Sequence, residues 1–238
     1  MAMSFCCRVG CSRYAAEAKV FMRCKLVCFD VDGTLIDEVV YIWQLIHKGL
    51  GIDKDTVDNA ARRFYEGRIS FREWADHDMR LWVKKGATRQ VLLSLIEGLK
   101  LMPGARETLD ELKRRGLKLA VISGGLDFVL ERFIPDAGTL FDRIMINRIA
   151  FDRKGRIERI EPTEFGSDSH KIDGLRQIAK ELGVRLGECA FVGDSDNDIS
   201  IAEGAGLSIG FRPSARLAKA CDVVIRNKDL REVLAHIR

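Results

Sequence analysis

The chain has 238 residues, 47% of them hydrophobic and 31% charged, enough to bury one large core or a core carrying an inserted unit. No stretch approaches the roughly 18 uninterrupted apolar residues of a membrane span. The formal charge of +4 resides in residues 1–25, which hold five basic residues and one acidic, while the other 34 basic and 34 acidic residues balance, so composition gives no argument for nucleic acid.

Residues 1–21 carry positive charge and small residues without the continuous apolar run of a secretory signal. They are expected to be a disordered extension, or to precede a true start at Met22. The seven cysteines show neither a paired CxxC framework nor zinc spacing, which fits a soluble protein of a reducing cytoplasm. Cys28 and Cys189 lie in apolar runs and read as small core residues.

From residue 25 onward, short apolar runs alternate with amphipathic stretches. The pattern predicts an α/β fold: a doubly wound, mostly parallel, Rossmann-like sheet with helices on both faces. Strands are expected at residues 26–30, 118–123, 143–147, 189–194, 207–211 and 223–225. Helices are expected at 103–115, opened by Pro103 and closed by Gly116, then at 126–133, 172–182, 198–205, 214–220 and 229–238. Residues 38–100 break the rhythm with helical periodicity and no strand, so 37–101 should form an inserted cap of about four helices between core segments 22–36 and 102–238. Linkers near 36–37 and 102–103 would let it hinge. "AFDRKGRIERIE" (150–161) reads as a hairpin turning at Lys154-Gly155.

Polar residues gather where these strands should end, at the edge where open α/β sheets bind ligands. "FDVDGT" places Asp30 and Asp32 after the first strand, "VISGG" places Ser123 and Gly124 after the second, and "GDSDND" places Asp194, Asp196 and Asp198 after the fourth. "SDSHKIDG" puts Lys171 at a helix start. Singly, each is an ordinary turn former, helix cap or surface lysine. Together, such carboxylates would repel without a counter-ion, and hard oxygen ligands of this kind suit Mg²⁺.

This ordered set, "DVDGTL", "VISGG", a lysine and "GDSDND", resembles the haloacid dehalogenase-like hydrolase superfamily in its phosphatase branch, over about residues 25–238. "VISGG", "GDSDNDISI" and the terminal "KDLREVL" look most like the phosphoserine phosphatases. The resemblance implies that Asp30 attacks phosphorus to form an aspartyl-phosphate and that Asp32 is the general acid and base. It implies Mg²⁺ held by the Asp30 side chain, the Asp32 carbonyl and Asp194, with Asp198 in support. Ser123, the Gly124 amide, Lys171 and Asn197 would surround the phosphoryl group, and Asp196 is left as a turn residue. The implied partner is a small phosphomonoester, acted on by a monomer or homodimer that binds neither nucleic acid nor membrane.

The cap departs from that pattern. Phosphoserine phosphatases read the amino acid with a glutamate nine positions after the nucleophile and a cap arginine seven positions after a phenylalanine. Here the ninth position is Val39, with Glu38 one place early, and counting from Phe71 the arginine position holds Asp78, with Arg72 and Arg80 close enough in sequence to substitute for it. An aspartate cannot pair with a substrate carboxylate. Asp78, with Glu38, Trp74 or Trp43, is therefore expected to favour a neutral or amine-bearing ester. The blander expectation puts Asp78 and His77 on a solvated surface and the tryptophans in bundle packing. Phosphoryl transfer to an alcohol, as in a phosphotransferase or mutase, and a non-catalytic phosphate-binding module are the alternatives to hydrolysis. Dehalogenation has no use for the carboxylate-rich fourth motif.

Overall fold

The computed structural model describes residues 23–166 and 170–238; the expectation for residues 1–21 lies outside them. Four-residue β1 (Leu26–Phe29) is buried throughout, as a strand covered on both faces must be. Its side chains alternate: Val27 and Phe29 enter one apolar cluster, Leu26 and Cys28 the other. The cysteines expected in the core are there. Burial holds the Cys28 thiol well above its ordinary range and pushes Cys189 up to about 12, so neither ionises at neutral pH.

After β1 the chain turns through β2 (Ile36–Asp37) into the cap: α1 (Ile42–Gly49), α2 (Lys54–Tyr65), α3 (Phe71–Lys84) and α4 (Arg89–Leu95). Each boundary has a local cause. Asp53 caps α2 through the Thr56 N–H, Ser70 and Glu73 form a reciprocal capping box on α3, and Thr88 caps α4. The chain returns through β3 (Lys100–Leu101), which pairs antiparallel with β2. The expected linkers are therefore a two-stranded ribbon, too short to leave a periodic signal in sequence.

The core continues with α5 (Ala105–Arg114), β4 (Lys118–Leu126), α6 (Asp127–Phe133), α7 (Ala137–Leu140), β5 (Arg143–Phe151) and β6 (Ile157–Glu161). Then come α8 (Lys171–Glu181), β7 (Cys189–Gly193), α9 (Ile199–Gly204), β8 (Leu207–Phe211), α10 (Leu217–Ala220) and β9 (Val223–Ile225). Seven strands form one sheet in the order β6-β5-β4-β1-β7-β8-β9. All neighbours are parallel except β5 and β6. The expected hairpin is present, but its first arm is the unbroken continuation of β5. Helix was expected over 229–238; a 3-10 turn over Leu230–Ala235 stands there, burying Leu230 and Val233 at a spacing of three.

The cap is tied to the core beyond its ribbon. Arg89 N–H donates to Gly155 O of the hairpin at 2.7 Å, beside a Thr88–Arg156 bridge. Among the described residues no helix is long and apolar enough to cross a membrane.

Candidate active site

The chain order of the sheet places β1 between β4 and β7. Parallel strands end on the same edge, so the three polar clusters seen in sequence meet there. Asp30 prolongs β1 by one residue, its N–H donating to Val192 O of β7 at 2.9 Å. The chain then turns back at Gly33, whose φ of 76° is open to glycine at little cost. A Cβ at Gly33 would stand 2.2 Å from Asp194 Oδ2, so the turn from β1 and the turn from β7 touch only because residue 33 has no side chain.

Lys171, 2% exposed at the start of α8, donates from Nζ to Asp30 Oδ1 at 2.8 Å and to Asp198 Oδ1 at 2.7 Å. Burial disfavours the ammonium, yet Asp198 and Asp30 outweigh it and raise the lysine above its ordinary range, so it stays charged. Asp198 uses its other oxygen to accept from the Asp194 and Ser195 N–H groups at 3.0 and 3.1 Å. Rather than capping α9, Asp198 locks the turn that presents Asp194. Asp196 turns outward to Ser214 and Arg216, as a turn residue would.

Carboxylate oxygens of Asp30, Asp194 and Asp198 all lie within 4.8 Å of one another. Burial raises Asp30 despite Lys171 and Ser123, and burial reinforced by Asp30 and Asp198 raises Asp194 further. Asp32 is also buried. Its Oδ2 accepts from the Ile42 N–H at 2.8 Å, while its Oδ1 has no hydrogen-bond partner. Burial, then the charge of Asp30, pushes Asp32 up to about 7, poised to hold and release a proton near neutrality.

Opposite these acids, the β4–β5 register shifts between Ile122 and Leu126, the stretch containing Ser123, Gly124 and Gly125. Ser123 Oγ accepts from the Gly125 N–H at 3.0 Å. A Cβ at Gly125 would come within 3.1 Å of Asp32 Oδ1, and one at Gly124 within 2.8 Å of Gly166 O. Asn147, fully buried in β5, donates to Gly124 O and Gly125 O and accepts from Thr163 N–H. Sequence reasoning missed it, although an asparagine inside the apolar run "IMINRIAF" is a buried polar group that demands partners. From the cap, Trp43 Nε1 donates to the same Gly124 carbonyl at 2.8 Å, so the cap is closed onto this loop.

Between core and cap lies a cavity of about 310 Å³. Asp30, Asp32, Ser123, Gly124, Lys171 and Asn197 line its floor, and Phe71 and Asp78 line its cap side. Asp78 is buried, contrary to the expectation of a solvated surface. His77 Nδ1 is 2.9 Å from its Oδ1 and His47 Nε2 is 3.4 Å from its Oδ2. The tryptophans divide: Trp82 is fully buried in the bundle, whereas Trp43 and Trp74 face the cavity. Glu38 is elsewhere. Its backbone is left-handed (φ 66°), its side chain is 53% exposed, and it pairs with Lys228 at 3.1 Å outside the cavity lining. The early glutamate belongs to the surface of the cap entrance, because the turn at 38 points it away from Asp30.

A family model described as haloacid dehalogenase-like hydrolase matches residues 24–206. The phosphoserine phosphatase of Methanocaldococcus jannaschii is 30% identical over 214 residues, 90% of this chain and 98% of that protein. That of Wolinella succinogenes is 29% identical over 213 residues, 90% of this chain and all of that one. A solved phospho-aspartyl intermediate analogue of a phosphoserine phosphatase is similar with a TM-score of 0.70 and 30% identity, over 91% of this chain and 100% of the other.

Proposed function

The chain belongs to the haloacid dehalogenase-like hydrolases, and on that premise we propose a magnesium-dependent phosphatase that cleaves a phosphomonoester through an aspartyl-phosphate on Asp30. The observation that carries the reading is the charge imbalance of the buried edge. Among the described residues, buried Asp30, Asp32 and Asp198 and half-buried Asp194 face a single ammonium, Lys171. The donors are hard oxygens, and the cluster of three lies within the span of one small ion, so the residues fit Mg²⁺. Asp30 and Asp194 would hold it with the Asp32 carbonyl. Bound there, the ion would supply positive charge to the phosphoryl oxygens and allow Asp30 and the substrate to approach. Asp198, both of whose oxygens are engaged by Lys171 and the 194–195 amides, is a positioning residue.

The steps belong to two carboxyl groups. Lys171 and Ser123 hold Asp30 by hydrogen bonds. An Asp30 oxygen bonds to phosphorus as the bond to the alcohol oxygen breaks, and protonated Asp32 gives its proton to the departing alkoxide. Asp32, now a carboxylate, takes a proton from water as the water oxygen attacks phosphorus. The bond from phosphorus to Asp30 then breaks, releasing inorganic phosphate and restoring both groups. The Oδ1 of Asp32 suits this exchange, since among the described residues it has no hydrogen-bond partner. In this reading residues 22–36 and 102–238 form the core and 37–101 the cap that excludes water.

The test is phosphate release from p-nitrophenyl phosphate with Mg²⁺ or chelator, beside Asp30→Asn. Metal-dependent release that disappears in the variant is expected. Release undiminished by Asp30→Asn would overturn the assignment of the nucleophile, and product diverted wholly to an added alcohol would make the enzyme a transferase.

A further inference from the structure

The cap side of the cavity has a chemistry of its own, and a substrate class follows from it if the phosphatase reading above holds. Lys171 is the one lysine or arginine lining the cavity among the described residues, and two carboxylates already occupy it. On the cap side the charged groups are Asp58 of α2 and Asp78 of α3. Asp58 pairs with exposed Lys54, which lies outside the lining, while Asp78 is a buried residue of the lining itself. A carboxylate on the alcohol portion of a substrate would find two carboxyl groups and no lysine or arginine on the cap side.

Much of the rest of that wall is aromatic. Phe64 and Trp74 stack with centroids 4.9 Å apart and planes at 27°, and Phe71 meets each of them edge-on. Trp43 is held in place by its bond to Gly124 O. Aromatic faces attract cations through their quadrupoles, with tryptophan the strongest. A carboxylate beside such faces is the chemistry that receives an ammonium group. His47 lines the cavity as a buried imidazole, its Nε2 3.4 Å from Asp78 Oδ2, and among the described residues neither ring nitrogen has a hydrogen-bond partner. We propose that this cavity selects phosphomonoesters whose alcohol carries an ammonium group and no carboxylate.

The test compares kcat/KM for phosphocholine, its neutral isostere 3,3-dimethylbutyl phosphate, O-phosphoserine and p-nitrophenyl phosphate, together with calorimetric affinities of the first three. Cation–aromatic attraction of about 0.5–2 kcal/mol corresponds to a preference of about 2–30-fold for the ammonium ester over its isostere. O-phosphoserine should be the poorest of the three, and Asp78→Asn should shrink the ratio of ammonium ester to isostere. An isostere as good as phosphocholine would leave only apolar selection and overturn the proposal, as would O-phosphoserine ranking first. If no ester is turned over, p-nitrophenyl phosphate included, the phosphatase reading fails by itself. The calorimetric order then still decides the cavity's preference.

Discussion

Replacing Lys171 by methionine keeps most of the side-chain volume and removes the one ammonium shared by Asp30 and Asp198. The wild-type contacts are 2.8 and 2.7 Å, and the three residues are 4%, 2% and 0% exposed. Water therefore cannot take over the role of the lysine without opening the strand edge. Removing one partner of a buried ion pair costs about 3–5 kcal/mol, because a charge stays buried and uncompensated. For a chain of this size a kcal/mol moves the unfolding midpoint by about 2–4 °C, so the loss should be about 6–20 °C. The assay is thermal unfolding at pH 7.5 in chelator, with urea unfolding for the free energy. Asp198→Asn alone should also destabilise, yet the double variant should lose at least about 1 kcal/mol less than the sum, because the residues share one network. A midpoint for Lys171→Met within 2 °C of wild type, or strict additivity, would refute the account of this triad.

Three other outcomes follow from specific contacts. Burial pushes the Asp127 carboxyl from 3.8 up to about 6, while one oxygen accepts from the Phe128 and Ile149 N–H groups at 2.8 and 3.1 Å. A folded value above the unfolded one means stability is full below about pH 4 and falls as pH rises to about 6. Asp127→Asn keeps the acceptor and removes the titration, so it should gain about 1–3 kcal/mol at pH 7 and nothing at pH 4; equal shifts at both pH values would be the contrary result. Trp43→Phe deletes the bond from cap to Gly124 O, costing about 0.5–1.5 kcal/mol. Amide exchange in α1 should quicken relative to α5, and unchanged protection would mean that the bond does not hold the cap. Gly33→Ala forces a Cβ into a left-handed turn and against Asp194. Because that carboxylate can swing aside, the Tm loss should be a few degrees while the Mg²⁺ requirement rises at least about tenfold; an unaltered Mg²⁺ dependence would contradict the geometry.

The sequence by itself determined the sheet and the identity of its acids. A parallel strand covered on both faces has to be an uninterrupted apolar run, so "LVCF", "LAVI" and "CAFV" could hardly be anything else. The polar residues that end such runs must lie at one edge. What sequence could not contain is which way a side chain turns once it reaches that edge. Lys171 and Asp198 both reach that edge, and that each there has the other as a partner, through a contact spanning 27 positions, leaves no trace along the chain. Glu38 and Asp78 make the point most directly. Glu38 is eight residues from Asp30, yet a left-handed turn sends it to Lys228 across 190 positions. Asp78 is 48 residues from Asp30, yet α3 returns it to the same cavity between two histidines. Local propensity and periodicity set helices, strands and the edge at which chemistry can occur. Only the packing of cap on core, through long-range contacts with no signature along the chain, decided which charges that chemistry faces.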